Sequence, residues 1–160
     1  MATSSFKNDC AMADTAVLLI NTGSPDAPEA DAVRRYLAEF LSDPRIVELP
    51  RWQWMPILHG IILRTRPAKS AKRYQGVWTD RGSPLIVHCS DIAQKLGNAL
   101  GGKVIVRAAM RYGNPSVASV IDELCAAGVR KILLFPMFAQ YASQTSAACL
   151  DAAFSHFSSL

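Results

Sequence analysis

The sequence predicts an α/β protein in which a parallel sheet carries helices on both faces. Continuous apolar runs occur at residues 16–20, 104–106 and 132–135. Runs without polar alternation are typical of strands that are buried on both faces. Apolar residues at helical spacing lie between the runs, and a strand, a helix and a parallel strand in succession form a right-handed unit. Together these patterns predict the α/β class.

The first apolar run is followed by a turn and then by an amphipathic helix. The turn contains Gly23 and Pro25, two residues that commonly interrupt regular structure. Asp43 precedes Pro44, and the helical pattern ends there because a residue before proline disfavours the helical conformation. The apolar positions of this predicted helix are Val33, Leu37, Phe40 and Leu41.

The second and third strands enclose one predicted helix, and another helix follows them. The second run continues through Met110, and the third occupies residues 132–135. The enclosed helix ends near Gly128, which adopts a left-handed cap at little cost. Residues 145–157 predict a further helix that is rich in alanine. The apolar positions of the enclosed helix are Val117, Val120, Ile121 and Leu124.

Composition and charge exclude several classes of protein. Half of the 160 residues are hydrophobic, which is enough for one core, and the net charge of +4 is too small to predict a nucleic-acid partner. The four cysteines form no Cys-x-x-Cys pair, so we expect neither a zinc site nor a disulfide framework. Residues 1–14 are polar, lack the apolar run of a secretory signal, and are predicted to be flexible. We therefore expect a cytoplasmic protein with one α/β domain over residues 15–160.

The loops that follow the three strands are the first candidates for a binding site. Ligands of open parallel sheets bind beyond the carboxyl ends of the strands. The loops there contain Thr22 after the first strand, Arg111 and Tyr112 after the second, and Tyr141 after the third. Polar and aromatic side chains that converge on one sheet end predict a pocket.

A second informative region lies between the first two strands. Residues 52–63 are mostly apolar but too few to span a bilayer, which takes about 20 residues. They form either a core helix or an apolar lip that touches a large flat ligand or a membrane surface. Five cationic residues follow this apolar stretch directly. They are suited to pair with the carboxylates of an amphipathic ligand or with anionic lipid. These cations are Arg64, Arg66, Lys69, Lys72 and Arg73.

Two polar residues adjoin this basic segment. Tyr74 follows the last of the cations in the chain. Ser83, between Gly82 and Pro84, is predicted to open the next helix and to offer a hydroxyl and free backbone N–H groups to an anion. Both residues therefore join the candidate site.

No familiar catalytic pattern accompanies these candidates. The histidines His59, His88 and His156 have no carboxylate or cysteine partner at a suggestive spacing. The sequence also lacks a phosphate-binding loop, a dinucleotide-binding glycine pattern, a hydrolase nucleophile elbow and a zinc-binding His-Glu-x-x-His helix. The common nucleotide-binding and hydrolase classes are therefore excluded.

Eight segments of the chain resemble, in order and spacing, the bacterial ferrochelatase family. The similarity extends from about residue 15 to residue 151. The segments are LLINTGSPDAP (18–28), RRYLAEFLSDPR (34–45), PILHGIIL (56–63), RPAKSA (66–71), WT (78–79), GSPL (82–85), MRYGNPS (110–116) and AQY (139–141).

The resemblance implies a Rossmann-like fold of the chelatase type, with a porphyrin cleft between two similar α/β domains. This chain matches the first domain. The implied activity is the insertion of Fe²⁺ into protoporphyrin IX in haem biosynthesis, with Fe²⁺ as a substrate and no cofactor required. The histidine and glutamate that the family uses for catalysis have no counterpart in this sequence, so no catalytic residue is identified and we expect a fragment without the C-terminal domain.

The resemblance also assigns roles to the candidate residues. Thr22 falls in the loop that meets the face of the macrocycle, and the apolar stretch 52–63 matches the lip at the mouth of the cleft. Arg111 and Tyr112 match a pair near the side from which the metal enters. The positions that hold the propionates or the rim of the porphyrin are matched by Arg66, Arg73, Tyr74 and Ser83.

Two other functions stay open from the sequence alone. One is a tetrapyrrole-binding module without catalytic activity, because the anion-binding residues are present and the base is not. The other is a cobalt or nickel chelatase of related fold. Peripheral contact with a membrane through residues 52–63 is compatible with each of them.

Overall fold

The computed structural model describes residues 14–160, and its centre is a sheet of three parallel strands. These are β1 (Thr15–Ser24), β2 (Ile105–Gly113) and β3 (Lys131–Pro136), in the order β2–β1–β3. β1 is paired along one edge with β2 and along the other with β3. The predicted α/β class and the parallel sheet are confirmed. The predicted flexible segment 1–14 lies outside the described residues except for Asp14.

In the part of the chain that the structure describes, six α-helices connect and cover the strands. A π-helical turn (Leu58–Ile62) joins the second helix to the third, and another (Ser143–Ala147) precedes the sixth. Sequence patterns did not predict either turn. The helices are α1 (Ala30–Ser42), α2 (Arg51–Ile57), α3 (Leu63–Gln75), α4 (Pro84–Ala99), α5 (Val117–Ala126) and α6 (Ala148–Phe157).

The central strand carries apolar side chains on both faces, as the continuous run at 16–20 predicted. Leu18 and Ile20 are completely buried against α5 and α6. Leu19 points to the opposite face, where it packs with Ala93 of α4 and Val106 of β2. Because successive strand residues point to opposite faces, one strand contributes to two apolar layers. Helices on both faces of the sheet are therefore confirmed.

One face of the edge strand β3 is open. Ile132 and Leu134 pack on the α5–α6 layer, whereas Leu133 and Phe135 on the other face are 58% and 54% exposed. α4 packs mainly on β2 and β1, on the face of the sheet to which Leu19 points. The sheet thus ends, within residues 14–160, at an apolar surface on its β3 edge.

The first three helices form a separate layer beside the carboxyl end of the sheet. The Trp54 indole N–H donates to the carbonyl of Leu41, at 2.7 Å, and Arg34 Nε donates to the carbonyl of Leu63, at 3.0 Å. These bonds fix α2 and α3 against α1. No helix within residues 14–160 combines the length and the apolar character needed to cross a membrane.

Candidate functional site

The carboxyl ends of β1 and β2 approach each other so closely that only glycine fits at the crossing. Gly23 has φ of +106°, and a Cβ atom added there would lie 1.8 Å from the carbonyl oxygen of Tyr112. The side chain of Asn114, just after β2, donates to Asp26 at 2.8 Å. The loops that follow the first two strands are therefore in contact. Thr22, Arg111 and Tyr112, which the sequence pattern placed in these loops, lie instead within β1 and β2.

An aromatic stack from α1 supports this crossing. Tyr36 stacks on Phe40 with ring centroids 5.9 Å apart, and Phe40 meets the edge of Tyr112 at 5.0 Å. The Tyr36 hydroxyl donates to the carbonyl of Gly23. Burial raises the pKa of Tyr36, with smaller contributions from Tyr74 and Glu39. Helix α1 thereby holds the ends of both strands, and its tyrosine stays a hydrogen-bond donor at neutral pH.

The carboxylate of Asp43, at the end of α1, accepts hydrogen bonds from three donors. Its Oδ2 accepts from Arg111 Nη2 at 2.5 Å and from the Tyr112 hydroxyl at 2.8 Å, while Oδ1 accepts from the backbone N–H of Arg45 at 2.8 Å. Only 8% of Asp43 is exposed. A buried carboxylate requires charge and hydrogen-bond partners, and this one has both.

The two residues that Asp43 binds differ in exposure. Tyr112 is 1% exposed, whereas the Arg111 side chain is 22% exposed. The Arg111 guanidinium lies over the Tyr112 ring, 4.5 Å from its centroid. Desolvation, assisted by the bond to Asp43, raises the pKa of Tyr112 above its usual range. Arg111 is therefore the member of the predicted pair that reaches the surface. Tyr112 is buried and packs against the Arg111 guanidinium.

A cavity of about 570 Å³ opens beside this cluster. Its wall includes Arg111, Asp43, Glu39, Arg45 and Asp151, and Arg45 and Asp151 form an ion pair across it. Arg45 also donates to the Ser143 hydroxyl. The loop after α1 is thus tied to the π-helical turn that precedes α6.

The second group of predicted residues lies on α3. Arg73 and Tyr74 line a cavity of about 370 Å³ together with Ser70 and Val77. The Tyr74 ring meets the edge of Trp78, with centroids 6.3 Å apart, and burial raises the pKa of Tyr74. A cation, a phenol and an apolar wall around one cavity suit a ligand with both a carboxylate and a flat apolar body.

The cations of α3 are exposed and lack acidic partners. Arg64, Arg66, Lys69, Lys72 and Arg73 make no salt bridge with any carboxylate of residues 14–160. In the apolar stretch before them Leu58 and Leu63 are buried, while large side chains on the outer side are exposed. The stretch 52–63 therefore combines both predicted alternatives, a core side and an apolar outer surface. That outer surface consists of Trp52 (76% exposed), Ile57 (41%) and Ile61 (59%).

The remaining predicted residues occupy different environments. Ser83 caps α4, is 6% exposed, and makes no capping hydrogen bond with its side chain. Thr22 is half-buried near the end of β1, where its backbone N–H donates to the side chain of Asn21. Tyr141 is 74% exposed. Among residues 14–160 no hydrogen bond or ion pair joins Arg66 or Tyr141 to the other predicted site residues.

Asp43 is the residue of this site that sequence patterns did not single out beyond a helix end. A signal for it was present, because a carboxylate at a helix C-terminus is repelled by the helix dipole and needs compensating cations. The described residues contain no group of three His, Cys, Asp or Glu side chains that could hold a metal ion. The cavity beside Arg111 is lined by both arginines and carboxylates, whereas the cations on α3 make no salt bridge within residues 14–160.

Fold and site together define the class of the protein. A parallel α/β domain presents, at the carboxyl ends of its strands, an Asp–Arg–Tyr cluster whose arginine reaches the surface, and it carries a basic helix beside an exposed apolar surface. These features suit a domain that binds a large, flat, anionic ligand at the end of its sheet.

Comparison with known proteins identifies the family. The ferrochelatase family model matches residues 14–159. The chain is 56% identical over 142 residues to a ferrochelatase of Methylibium petroleiphilum, covering 87% of this chain and 39% of that protein. A ferrochelatase of Polaromonas is 54% identical over 152 residues, covering 93% and 41%, and a ferrochelatase 2 of Shewanella oneidensis is 55% identical over 139 residues, covering 85% and 42%. The chain belongs to the ferrochelatase family, and it spans about 40% of the length of these curated relatives.

Proposed function

We propose that this chain forms one wall of the porphyrin cleft of an enzyme that inserts Fe²⁺ into protoporphyrin IX. The observation that carries the proposal is the 56% identity over 142 residues to a protein named ferrochelatase. Fe²⁺ is a substrate in this proposal, and no resident cofactor is needed. The proposed cellular location is the cytoplasm.

Metal insertion makes two demands on the protein. Two pyrrole protons must leave the macrocycle, and the ring must bend so that its nitrogen lone pairs face the metal, which needs rigid walls. The glycine crossing and the aromatic stack of α1 supply rigidity at the carboxyl end of the sheet. His59 and His88 are exposed, and His156 lies 2.7 Å from Asp122 between α5 and α6. We propose that the base comes from a part of the whole enzyme outside this chain.

The basic helix α3 is proposed to hold the propionates. Arg73 and Tyr74 share a cavity, and Arg66 is an exposed cation on the same helix. The Ser83 hydroxyl at the start of α4 is not used for capping, so it remains available as a donor. A carboxylate that binds such donors gains charge-assisted hydrogen bonds, which are stronger than neutral ones.

The exposed apolar side chains of α2 and the following π-helical turn are proposed to contact the macrocycle edge or a membrane surface. Trp52 and Ile61 are the most exposed large apolar side chains of this segment. Cations that make no salt bridge within residues 14–160 follow them on α3, and anionic lipid attracts such cations by about 1 kcal/mol each. Peripheral membrane contact is therefore a second proposed interaction of the same surface.

Fluorescence titration with protoporphyrin IX tests the proposed clamp. Arg73→Ala should weaken binding by about one to two decades, because a hydrogen bond to a charged group contributes about 1.5–3 kcal/mol. Arg130→Ala is the matched control, since Arg130 is an exposed arginine at the amino end of β3, opposite the candidate site. Equal affinities for the two variants would contradict the assignment of Arg73 to a propionate.

A further inference from the structure

We propose that Asp43 is a positioning residue that orients the Arg111 guanidinium toward the porphyrin. This inference rests on the proposed function, because it assumes that Arg111 meets the ligand. It adds a residue to which sequence patterns gave no role besides ending α1. The geometry that supports it is the convergence of three donors on one buried carboxylate.

The backbone fixes Asp43 before any ligand binds. Asp43 follows the last residue of α1 in an extended conformation, and its Oδ1 accepts from the N–H of Arg45 two residues later. Its backbone carbonyl accepts from the N–H groups of Ile46 and Val47, each at 3.0 Å. The carboxylate and the backbone carbonyl of Asp43 are thus both hydrogen-bonded within the loop after α1. These bonds fix the position of Oδ2.

Oδ2 in turn fixes two side chains from the end of β2. The Tyr112 hydroxyl and Arg111 Nη2 both donate to this single oxygen. The Tyr112 ring lies against one face of the guanidinium, so Arg111 cannot move further towards that ring. Arg111 Nε is buried and has no hydrogen-bond partner among residues 14–160, so Asp43 is the only described acceptor that holds this guanidinium.

A guanidinium that is already held loses less side-chain freedom when it binds an anion than a free one does, and this smaller ordering cost favours binding. Asp43→Asn keeps the size of the residue and an acceptor oxygen but removes the charge that attracts Arg111. The variant should therefore bind protoporphyrin IX about threefold to tenfold more weakly.

A double-mutant cycle separates positioning from a general structural effect. Protoporphyrin IX affinity is measured by fluorescence for the 160-residue chain, Asp43→Asn, Arg111→Met and the double variant. If Asp43 acts through Arg111, Asp43→Asn should change affinity by less than about twofold in the Arg111→Met background. The control is Asp122→Asn, which removes a carboxylate paired with His156 between α5 and α6. An unchanged affinity in Asp43→Asn, or an equal loss in both backgrounds, would overturn the proposal.

A measurement on the unaltered chain covers the case in which Asp43→Asn does not fold. Nitrogen NMR of arginine side chains reports rotation of each guanidinium about its Cζ–Nη bonds. Arg111 should show separate Nη signals because Asp43 holds it, whereas the exposed Arg130 should show averaged ones. Averaged signals for Arg111 would overturn the proposal whatever the porphyrin affinity. Separate signals in a chain that binds no porphyrin would support the orientation by Asp43 and contradict the proposed function.

Discussion

Single residues at the carboxyl ends of β1 and β2 determine whether the site can form. Gly23 and Gly113 both have positive φ, and a Cβ at either position would meet a backbone oxygen of the other strand's end within 3 Å. These are backbone contacts that no side-chain rearrangement relieves. The two strands can therefore close on each other only with glycine at both positions.

Gly23→Ala should destabilise the protein by about 3 kcal/mol or more, because it adds a backbone clash to an unfavourable φ. Gly101→Ala is the matched control, since Gly101 also has positive φ but an added Cβ would meet nothing within 4 Å. That control should cost about 1 kcal/mol. Urea unfolding of both variants measures the difference. Equal losses would show that the close approach to Tyr112 does not restrict position 23.

Cys149 provides a test of burial near the Asp43 cluster. Burial raises the pKa of its thiol from 9.0 to about 11, although Arg111 acts in the opposite direction. Because the folded pKa is the higher one, this group's stabilising contribution is complete below pH 9 and is lost as the pH rises towards 11. The loss should amount to about 2 kcal/mol. In Cys149→Ala the free energy of unfolding should fall less steeply over this range, and identical pH profiles for the variant and the unaltered chain would contradict the buried placement.

Among the elements, the edge strand β3 differs from β1 because only one of its faces is packed. In β3 the side chains that face α5 and α6 are packed, and those on the opposite face are open. Leu134→Ala should therefore cost about 2 kcal/mol, whereas Leu133→Ala should cost less than about 0.5 kcal/mol. Thermal or chemical unfolding compares two identical substitutions on adjacent residues. A larger loss for Leu133 would mean that the face described as open is covered.

The sequence predicted the elements whose apolar pattern is local. All three strands, α1, α5 and α6 follow from such patterns, because a buried strand gives a continuous apolar run and a helix buried on one face gives a helical period. It did not predict that β1 continues to Ser24. That extension depends on pairing with Tyr112 and Gly113, which are about 90 residues away in the chain. The π-helical turns likewise have no periodic pattern of their own.

Prediction of the site was limited for the same reason. The loops after the strands and the basic helix were identified because their residue types are unusual for those positions. The role of Asp43 was not, since its partners Arg111 and Tyr112 come from β2. A residue whose role is to hold another becomes evident only when the strands and helices are placed together.

For the molecule as a whole, α1 connects the two regions that we propose to bind anions, because Asp43 at its end bonds to Tyr112 and Arg34 within it bonds to Leu63 of α3. One is the Arg111 cluster at the strand ends, and the other is the cavity of Arg73 and Tyr74 on α3. Helix α3 is held against α1, which carries the aromatic stack, by the hydrogen bond from Arg34 to the carbonyl of Leu63. We propose that an amphipathic ligand meets the cations of α3 with its carboxylates and the exposed apolar side chains before them with its ring.

The most direct test compares protoporphyrin IX with its dimethyl ester, which has the same ring but no carboxylates. If the domain binds porphyrin through its cations, the unaltered chain should bind the ester at least about tenfold more weakly than the acid. In Arg73→Ala the affinities for acid and ester should be closer to each other. Fluorescence titrations of both ligands under identical conditions provide the two affinities. Equal affinities of the unaltered chain for the acid and the ester would contradict the account, because binding would then depend only on the contact of a flat ring with exposed apolar surface.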